Sequence, residues 1–546
     1  MLQLRYQDQD REVPRGTRFY EVVKEMKGSL RPILARQEGE YFELDDYIKE
    51  EGEVIPVYID DINGNKAYER TLSFILVVAL DNVFPGLTLS IDHSISRGLF
   101  CHIEDRRLSS EELLLVRAEM DRIIEGNYPI GKTYMSLDEA FKVFIKRRMC
   151  DRVDLLKDSG LQRIKLYELL GHYDYFYGKM AVSTGAIELY DLVEYQAGFI
   201  ITYPTIAEPE VLPKFQPQDM LYGIFRETQE WDNIIGVETV GFLNEKISGN
   251  GSFDLVRVTE ALHEKKIAYI ADDIAKRKDV RIVMIAGPSS SGKTTFARRL
   301  GIQLRVNGLV PIPIGMDDYF VNRRLTPKNA DGSFDFESLQ AIDIDLFQDH
   351  IGKILGGEEV TLPKFDFRTG IRGVSDHKVR LPANGILIIE GIHGLNPALL
   401  EDIPAASKFK VYISALTALN LDYHNRIATT DVRKLRRMVR DILSRGYSAI
   451  DTLSIFPSVS RGEKIHIFPH QDQADAMFNS TLLYELAVLK KHCLKELKRI
   501  PRSSMIYEEA KRLNTILSLF KDIPDDMVPE NSILREFIGG SCFYEY

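Results

Sequence analysis

The sequence predicts an α/β protein whose later part folds into a parallel sheet with helices on both faces, preceded by two smaller α+β domains. The first observation is the apolar strand "RIVMIAG", which leads through a glycine-rich loop into a helical stretch, after which strands and helices alternate. The second observation is that the first 215 residues mix amphipathic helical patterns such as "SSEELLLVRAEMDRIIEG" with aromatic-rich strand patterns such as "HYDYFYGKMAV" and "AGFIITYP".

Five segments are predicted along the chain. Residues 1–60 form a small α+β domain, with "MLQLRY" and "EVIPVYI" as strands and "GTRFYEVVKEM" as a helix. Residues 61–215 form the second α+β domain, and the proline-rich stretch "YPTIAEPEVLPKFQPQD" separates it from a helical connector at 216–278. Residues 279–490 form the parallel α/β domain, and 491–546 form a tail that is helical at first and then irregular.

Composition excludes several classes of function. Of 546 residues, 44% are hydrophobic and 28% are charged, with a formal net charge of −11, which argues against wrapping a nucleic-acid backbone. The N-terminus lacks the apolar core of a signal peptide, and the early apolar run "FILVVAL" is too short to span a bilayer. The four cysteines lack metal-site or redox spacing. We therefore expect a cytoplasmic protein without a membrane partner.

The strongest chemical signal is the segment from Gly287 to Thr294, which fits G-x-x-x-x-G-K-[ST] between a strand and a helix. In a P-loop of this kind, backbone N–H groups and the positive end of the helix hold the phosphates of ATP. Lys293 would neutralise phosphate oxygens, and the Thr294 hydroxyl would hold Mg²⁺. The alternative is a serine-rich loop without phosphate chemistry. The predicted ATP-binding residues are Gly287, Ser289, Ser290, Ser291, Gly292, Lys293, Thr294 and Thr295.

Carboxylates at the ends of two further strands complete the predicted chemistry. Glu390 ends the strand of "GILIIEGIHGL" and is predicted to orient Mg²⁺, with helix capping as the alternative. Asp317 and Asp318 end the strand of "VPIPIGMDDYF", at the sheet edge where ligands bind. We prefer Asp317 as the group that accepts or orients the proton of an acceptor hydroxyl. The alternative is that both aspartates cap a turn.

Five segments, in order, resemble the uridine kinase/phosphoribulokinase branch of P-loop kinases. They are "MDDYF", "GSFDFESLQAIDIDLF", "LPKFDFRTGIR", "ILIIEGIHGL" and "TDVRKLRRMVRDILSRG". The resemblance implies a P-loop NTPase-type sheet and a kinase that uses ATP and Mg²⁺ to phosphorylate the 5′-hydroxyl of a ribonucleoside of the uridine or cytidine type. Phosphorylation of another small hydroxylated metabolite, as in phosphoribulokinase, remains an alternative.

The resemblance also assigns roles to individual residues. Asp317 matches the catalytic aspartate, Asp335 the aspartate that holds the ribose hydroxyls, Phe320 a residue near the nucleoside, and Arg372 a substrate-side arginine. Four arginines at i, i+3, i+4 and i+7 share one face of the predicted lid helix, namely Arg433, Arg436, Arg437 and Arg440. With Lys293, Arg436 and Arg440 are expected to act in catalysis by clamping the transferring phosphate, and Arg433 and Arg437 to bind substrate. The alternative is a solvated face.

Two positions depart from the family pattern. The tyrosine and histidine with which the family reads the base are Phe365 and Gly370 in this sequence. A phenyl ring cannot hydrogen-bond a pyrimidine edge, and Gly370 is expected to leave room for a larger base. Phe365 therefore stays a predicted substrate-binding residue, while the base of the substrate is open.

The two predicted N-terminal domains, residues 1–60 and 61–215, resemble parts of threonyl-tRNA synthetase. Residues 1–60 resemble its TGS domain through "VPRGTRFYEVV" and "EVIPVYI", and 61–215 its editing-related domain through "ERTLSFILVVALDNVFPGLTLSIDHSISRGLFCHI". The two histidines of the editing motif fall on Thr71 and Phe74, so the resemblance implies a retained fold without that metal or editing site. Kinase regulation, small-ligand binding and homo-oligomerisation are open roles for these domains. A nucleotide-dependent, RNA-associated regulator is the alternative outside the enzymes.

Overall fold

The computed structural model describes residues 1–6, 9–24, 30–104, 106–329 and 332–543. The end of the predicted helix "GTRFYEVVKEM" lies outside these ranges. The strands are β1 Leu2–Tyr6, β2 Gln9–Val13, β3 Leu34–Gln37, β4 Glu40–Glu43, β5 Gly52–Val57, β6 Leu89–Ile95, β7 Gly98–Ile103, β8 Gly131–Ser136, β9 Arg163–Leu169, β10 His172–Asp174, β11 Asp191–Tyr195, β12 Gly198–Thr202, β13 Ile282–Ala286, β14 Val310–Gly315, β15 Val360–Asp366, β16 Ile371–Val379, β17 Gly385–Glu390, β18 Lys408–Ser414, β19 Asn420–Asp422, β20 Asn425–Arg426 and β21 Ala476–Asn479.

The helices alternate with these strands along the chain. They are α1 Phe19–Val23, α2 Ile62–Val83, α3 Ser110–Glu125, α4 Leu137–Lys146, α5 Cys150–Leu156, α6 Asp219–Ile235, α7 Val240–Ser248, α8 Ser252–Lys276, α9 Lys293–Val306, α10 Ile344–Leu355, α11 Thr429–Arg440, α12 Ala449–His466, α13 Glu485–Lys498, α14 Tyr507–Ser518 and α15 Arg535–Ile538. Among them, none is both long enough and apolar enough to cross a membrane.

The N-terminal part contains three sheets. The first five strands pair in the order β2-β1-β5-β3-β4, and the alternating residues Leu2 and Leu4 of β1 are buried in the same core as Phe19 of α1. Two antiparallel sheets follow, in the orders β10-β9-β8 and β11-β12-β7-β6. The strand predicted for "HYDYFYGKMAV" is wrong beyond β10, since Tyr175 and Phe176 are buried in an irregular segment.

The second half is built on a parallel sheet of order β14-β17-β13-β18-β21. Successive residues of its central strand point to opposite faces. Val283 and Ile285 pack in one core with Phe296 and Leu300 of α9. Met284 packs on the other side in the core that contains α10. Helices therefore cover both faces of the sheet, and the predicted α/β fold class is confirmed.

The tail is continuous with this domain. The predicted boundary at residue 490 falls inside α13, which runs from Glu485 to Lys498. Leu513 of α14 and Phe537 of α15 are fully buried in the same core as α9. The tail thus packs against the parallel domain, on the side where the glycine-rich loop lies.

Candidate active site

The glycine-rich loop joins β13 to α9, and its glycines are required where they stand. Gly292 caps α9 with φ +84°, in the left-handed region that favours glycine. A Cβ on Gly292 would lie 2.5 Å from Cγ2 of Ile533, and one on Gly287 would lie 1.9 Å from the carbonyl oxygen of Ile413. Both glycines therefore allow close packing as well as the turn.

The loop carries donors that match a phosphate chain. The hydroxyl oxygens of Ser290 and Ser291 are buried and, within the described ranges, have no hydrogen-bond partner. Such orphaned donors are destabilising, and phosphate oxygens would accept from them. Nearby, Nζ of Lys293 donates to the carbonyl oxygens of Gly287 and Pro288 at 3.0 and 3.2 Å. The loop thus fits the phosphates of a nucleotide.

Thr294 and Glu390 form the pair that could hold a metal ion. β17 lies between β13 and β14 in the sheet, so its last residue, Glu390, ends beside the loop. Oγ1 of Thr294 donates to Oε1 of Glu390 at 3.0 Å. Burial and the charge of Asp317 raise the pKa of Glu390 to about 7, against the opposing charge of Lys293. A hydroxyl beside a desolvated carboxylate is a donor set suited to Mg²⁺.

Asp317 follows β14 in the short 3₁₀ turn Met316–Tyr319. Its side chain is exposed to solvent. The surrounding protein nevertheless removes much of its hydration and raises the pKa of Asp317, although the charges of Lys293, Arg445 and Arg440 oppose the shift.

Asp318 has a structural role. Its carboxylate lies 3.1 Å from Nζ of Lys364 and accepts a hydrogen bond from the backbone N–H of Phe365 at 3.3 Å. Asp318 therefore fixes β15 against the turn, while Asp317 is exposed.

An aromatic cluster lies next to these aspartates. The rings of Phe320 and Phe365 are both buried, with centroids 5.6 Å apart. Phe367 packs edge-on against Phe365 at 5.2 Å and is 45% exposed. The guanidinium of Arg445 lies over the Phe367 ring at 5.5 Å from its centroid. The three rings are steeply inclined to one another, and the cluster offers an apolar surface with a cation over one ring.

Asp335 lies near the end of α12. One of its oxygens accepts from the backbone N–H of Glu337 at 3.1 Å, and the other lies 3.9 Å from Nε2 of His466. Arg372 is held by Asp343, with Nη2 2.8 Å from the carboxylate, while its buried Nη1 has no partner in the described part of the chain.

Gly370 corrects an expectation about space for the base. A Cβ at this position would lie 2.8 Å from Cβ of Arg323, whose side chain occupies the room. Nη2 of Arg323 also donates to the carbonyl oxygen of Phe367 at 2.5 Å. Gly370 has φ +71°, in the turn between β15 and β16. The glycine therefore serves the hairpin turn and does not open space for a larger base.

Arg433 and Arg436 are buried and support the loop from behind. Nε of Arg433 donates to the carbonyl oxygen of Ser289 at 2.9 Å, and its guanidinium pairs with Glu463. Arg436 has no exposed surface; Nη1 lies 3.4 Å from the carbonyl oxygen of Ser290, and Glu485 neutralises its charge. The expected phosphate clamp does not fit Arg436, because the side chain is fully buried and both of its Nη atoms are directed to protein oxygens.

The remaining arginines face the cleft around one carboxylate. Arg437 donates from Nη1 to the hydroxyl of Ser289 at 2.9 Å and from Nε to Asp441 at 3.2 Å. Arg440 donates to the same aspartate at 3.1 Å, and Nε of Arg445 lies 3.7 Å from it. Residues 441–445 form a π-helical turn, which re-aims the side chains that follow α11.

Three charged residues of the site carried no sequence prediction. Burial and the charge of Arg440 lower the pKa of Arg445 to about 10. Arg445 lies in the segment "TDVRKLRRMVRDILSRG", outside the run of four lid arginines. Glu463 accepts from the backbone N–H of Ser289 at 2.8 Å. Glu536 accepts from the backbone N–H of Thr295 at 3.2 Å. Neither glutamate lies in a recognisable motif.

In the N-terminal half, the two positions that depart from the synthetase motif belong to the core. Thr71 is buried, donates to the carbonyl oxygen of Ala67 at 2.7 Å and accepts from the N–H of Ala181 at 3.0 Å. The Phe74 ring packs on Phe176 with centroids 5.5 Å apart.

Residues 282–484 match the family model described as Phosphoribulokinase / Uridine kinase family. Uridine-cytidine kinase A of Dictyostelium discoideum is 25% identical over 271 residues, which cover 46% of this chain and 50% of that protein. A uridine kinase of Deinococcus deserti is 28% identical over 165 residues, covering 30% of this chain and 70% of that protein.

The N-terminal region matches a different class of protein. A threonine--tRNA ligase of Carboxydothermus hydrogenoformans is 27% identical over 203 residues, covering 35% of this chain and 31% of the ligase. The chain thus spans less than a third of that ligase and about half of the Dictyostelium discoideum kinase.

Among solved structures, that of a possible uridine kinase from Bacillus stearothermophilus is 18% identical to this chain, with a TM-score of 0.27. The match covers 39% of this chain and 100% of the chain of that structure. Residues 282–484 thus form a domain that matches the Phosphoribulokinase / Uridine kinase family, joined to an N-terminal region that is similar to threonine--tRNA ligases.

Proposed function

We propose that the protein is an ATP- and Mg²⁺-dependent kinase that transfers the γ-phosphate to the 5′-hydroxyl of a ribonucleoside. The observation that carries the proposal is the position of Asp317. It is exposed at the end of β14, close enough to Lys293 and Arg440 for their charges to act on its pKa. An accessible carboxylate near the lysine of a phosphate loop is what transfer to a hydroxyl requires.

The phosphate end of the site uses the loop and the metal pair. The hydroxyls of Ser290 and Ser291 would donate to phosphate oxygens, and Lys293 would exchange its carbonyl partners for them. Thr294 and Glu390 would hold Mg²⁺, which neutralises phosphate charge when bound. Gly287, Ser289, Gly292 and Thr295 complete the proposed ATP site.

At the transfer step, Asp317 would accept a hydrogen bond from the 5′-hydroxyl and take its proton as the oxygen attacks. Its raised pKa suits that role, because a weakly basic carboxylate must compete for the proton. Arg440 and Arg445 would stabilise the charge that develops on the moving phosphoryl group. Arg437 would hold the loop hydroxyl of Ser289 in place.

The acceptor end supports a nucleoside. Asp335 offers carboxylate oxygens to a ribose diol, and the exposed face of Phe367 beside Phe320 and Phe365 offers a stacking surface for a base. Stacking discriminates weakly between bases, because each has a π-face. We therefore expect several nucleosides to be accepted.

A second candidate is an anionic hydroxylated metabolite, in the manner of the phosphoribulokinase branch. The observation that favours it is the buried Nη1 of Arg372, which has no hydrogen-bond partner among the described residues and could donate to a carboxylate or phosphate group of the acceptor.

The test is a panel of nucleosides and anionic sugars, each with ATP and Mg²⁺ in excess, scored by ADP release and by mass of the product. A phosphorylated nucleoside is the expected result. RNA-stimulated hydrolysis without an acceptor product would instead point to a nucleotide-dependent regulator and refute the kinase proposal. A cytoplasmic location and a small-molecule partner belong to the same proposal.

Asp317→Asn tests the transfer step. We expect kcat to fall by about 10²- to 10⁴-fold with ATP affinity nearly unchanged, because the variant removes the proton acceptor and leaves the loop intact. Asp318→Asn is the matched control, since it removes the neighbouring charge that pairs with Lys364 and keeps an acceptor oxygen for the N–H of Phe365. Equal kcat values in Asp317→Asn and the wild type would exclude Asp317 from the reaction.

A further inference from the structure

The C-terminal tail places a carboxylate on the phosphate loop. Oε2 of Glu536, in α15, accepts a hydrogen bond from the backbone N–H of Thr295 at 3.2 Å and from its hydroxyl at 2.9 Å. Thr295 is the third residue of α9, in the first turn that follows the loop. The tail therefore brings a negative charge to the start of the helix on which the proposed ATP site depends.

An anion at this point uses groups that a nucleotide needs. The first N–H groups of a helix have no partner within the helix, and together with the helix dipole they attract negative charge. In a P-loop these same groups cradle the phosphates. Glu536 already occupies one such N–H, as well as the hydroxyl of the same residue. A phosphate oxygen bound to Thr295 must displace this carboxylate.

The tail is packed so that Glu536 is directed at the loop. Ile533 lies against Gly292, where even a Cβ would be only 2.5 Å from its Cγ2. Phe537 is fully buried, with the guanidinium of Arg436 5.0 Å from its ring centroid. Arg535 donates to the carbonyl oxygens of Val528 and Gly539 at 2.7 and 3.2 Å, which ties the segment to itself. These contacts hold the carboxylate in a defined position.

The charge of Glu536 also acts on the metal pair. It is among the charges that raise the pKa of Glu390, after burial and Asp317, so the tail carboxylate and the proposed metal ligand are electrostatic neighbours. A bound phosphate chain would add further negative charge to this neighbourhood.

We propose that Glu536 is an internal competitor for the nucleotide phosphates, and that the tail inhibits the chain's own ATP site until the carboxylate leaves Thr295. The inference rests on the proposed function, since it requires ATP to bind at the loop. Because coupling between two binding events is reciprocal, a tail that weakens ATP binding must itself be released by ATP.

The test is calorimetric titration of the full-length chain with ATP and excess Mg²⁺. Glu536→Gln keeps the shape of the side chain and removes its charge, and we expect the Kd for ATP to fall by about tenfold, a typical size for an allosteric coupling. Glu530→Gln is the matched control, because Glu530 is an exposed carboxylate in the same tail, and its Kd should equal that of the wild type.

A second readout follows the tail itself. ATP should accelerate backbone hydrogen exchange in residues 532–540 of the wild type more than in Glu536→Gln, because an uncharged amide competes less strongly with the phosphates for Thr295. If Glu536→Gln keeps its melting temperature but binds ATP no more tightly than the wild type, the inference about the tail is overturned while the proposed function stands. Failure of the wild type and Glu536→Gln alike to bind ATP would refute the proposed function as well.

Discussion

Glu390→Gln should stabilise the ligand-free protein above neutral pH. Burial and Asp317 raise the pKa of Glu390 to about 7, from 4.5 for an ordinary glutamate. The folded state therefore binds the proton more tightly than the unfolded state does. The contribution of this proton to the free energy of unfolding is fully present below pH 4.5 and is lost progressively as the pH rises to about 7. Above that pH the free energy of unfolding no longer changes through this group.

The size of the effect follows from the shift. A difference of about 2.5 pKa units at about 1.4 kcal/mol per unit gives roughly 3 kcal/mol at pH 8. Glutamine carries no charge and can still accept the hydrogen bond from Thr294, so the variant avoids this loss. For a domain of about 200 residues, 1 kcal/mol shifts the melting temperature by about 2–4 °C, so an increase of roughly 6–12 °C is expected at pH 8.

The assay is thermal unfolding of the wild type and Glu390→Gln between pH 5 and 8, without nucleotide. The two melting temperatures should be closest at pH 5 and separate as the pH rises, and Mg²⁺ should raise that of the wild type only. Glu401→Gln, at an exposed position after β17, should follow the wild type. A Glu390→Gln protein that melts with the wild type at pH 8, or below it, would refute the reasoning.

Two further predictions concern the acceptor end. Gly370→Ala should lower the melting temperature by an amount equivalent to about 1–3 kcal/mol, because alanine is strained at φ +71° and its Cβ would meet Arg323. Gly373→Ala, in the same hairpin, is the control, since its Cβ would make only an ordinary contact at 3.9 Å; an unchanged melting temperature in Gly370→Ala would contradict the strain. Phe367→Ala should raise KM for a nucleoside by about 5- to 100-fold at nearly constant kcat in steady-state kinetics, since stacking on an aromatic ring contributes about 1–3 kcal/mol; an unchanged KM would place the base elsewhere.

The parts of the fold that could be predicted are those fixed by local pattern. The strand–loop–helix around Gly292 and the apolar strands imply a parallel sheet, and the ends of neighbouring parallel strands meet at one edge. That rule is why Thr294 and Glu390, 96 positions apart, could be expected to lie together, as they do at 3.0 Å. Asp317 could be placed at the same edge for the same reason.

The roles of site residues could not be predicted where they depend on partners that are distant in sequence and lie in segments without a recognisable motif. Helical spacing placed Arg436 on a face with three other arginines, but it could not reveal that Glu485 would neutralise this side chain in the core. Glu463 lies 174 positions from Ser289, and Glu536 lies 241 positions from Thr295. Neither glutamate stands in a motif, because tertiary packing of α12 and the tail brings them to the loop.

The same packing joins the two halves of the chain through one half-buried carboxylate. Glu509 in α14 pairs with Lys66 of α2 at 3.3 Å and also with Lys434 of α11. Arg512 donates from Nη1 to Asp431 of α11 at 2.7 Å. Although burial alone would raise it, the charges of Lys66, Arg512 and Lys434 hold the pKa of Glu509 well below its usual range. Because Lys66 and Lys434 share this carboxylate, its removal would leave two cations facing each other, so Glu509 ties α2 to α11, the helix that precedes the π-helical turn.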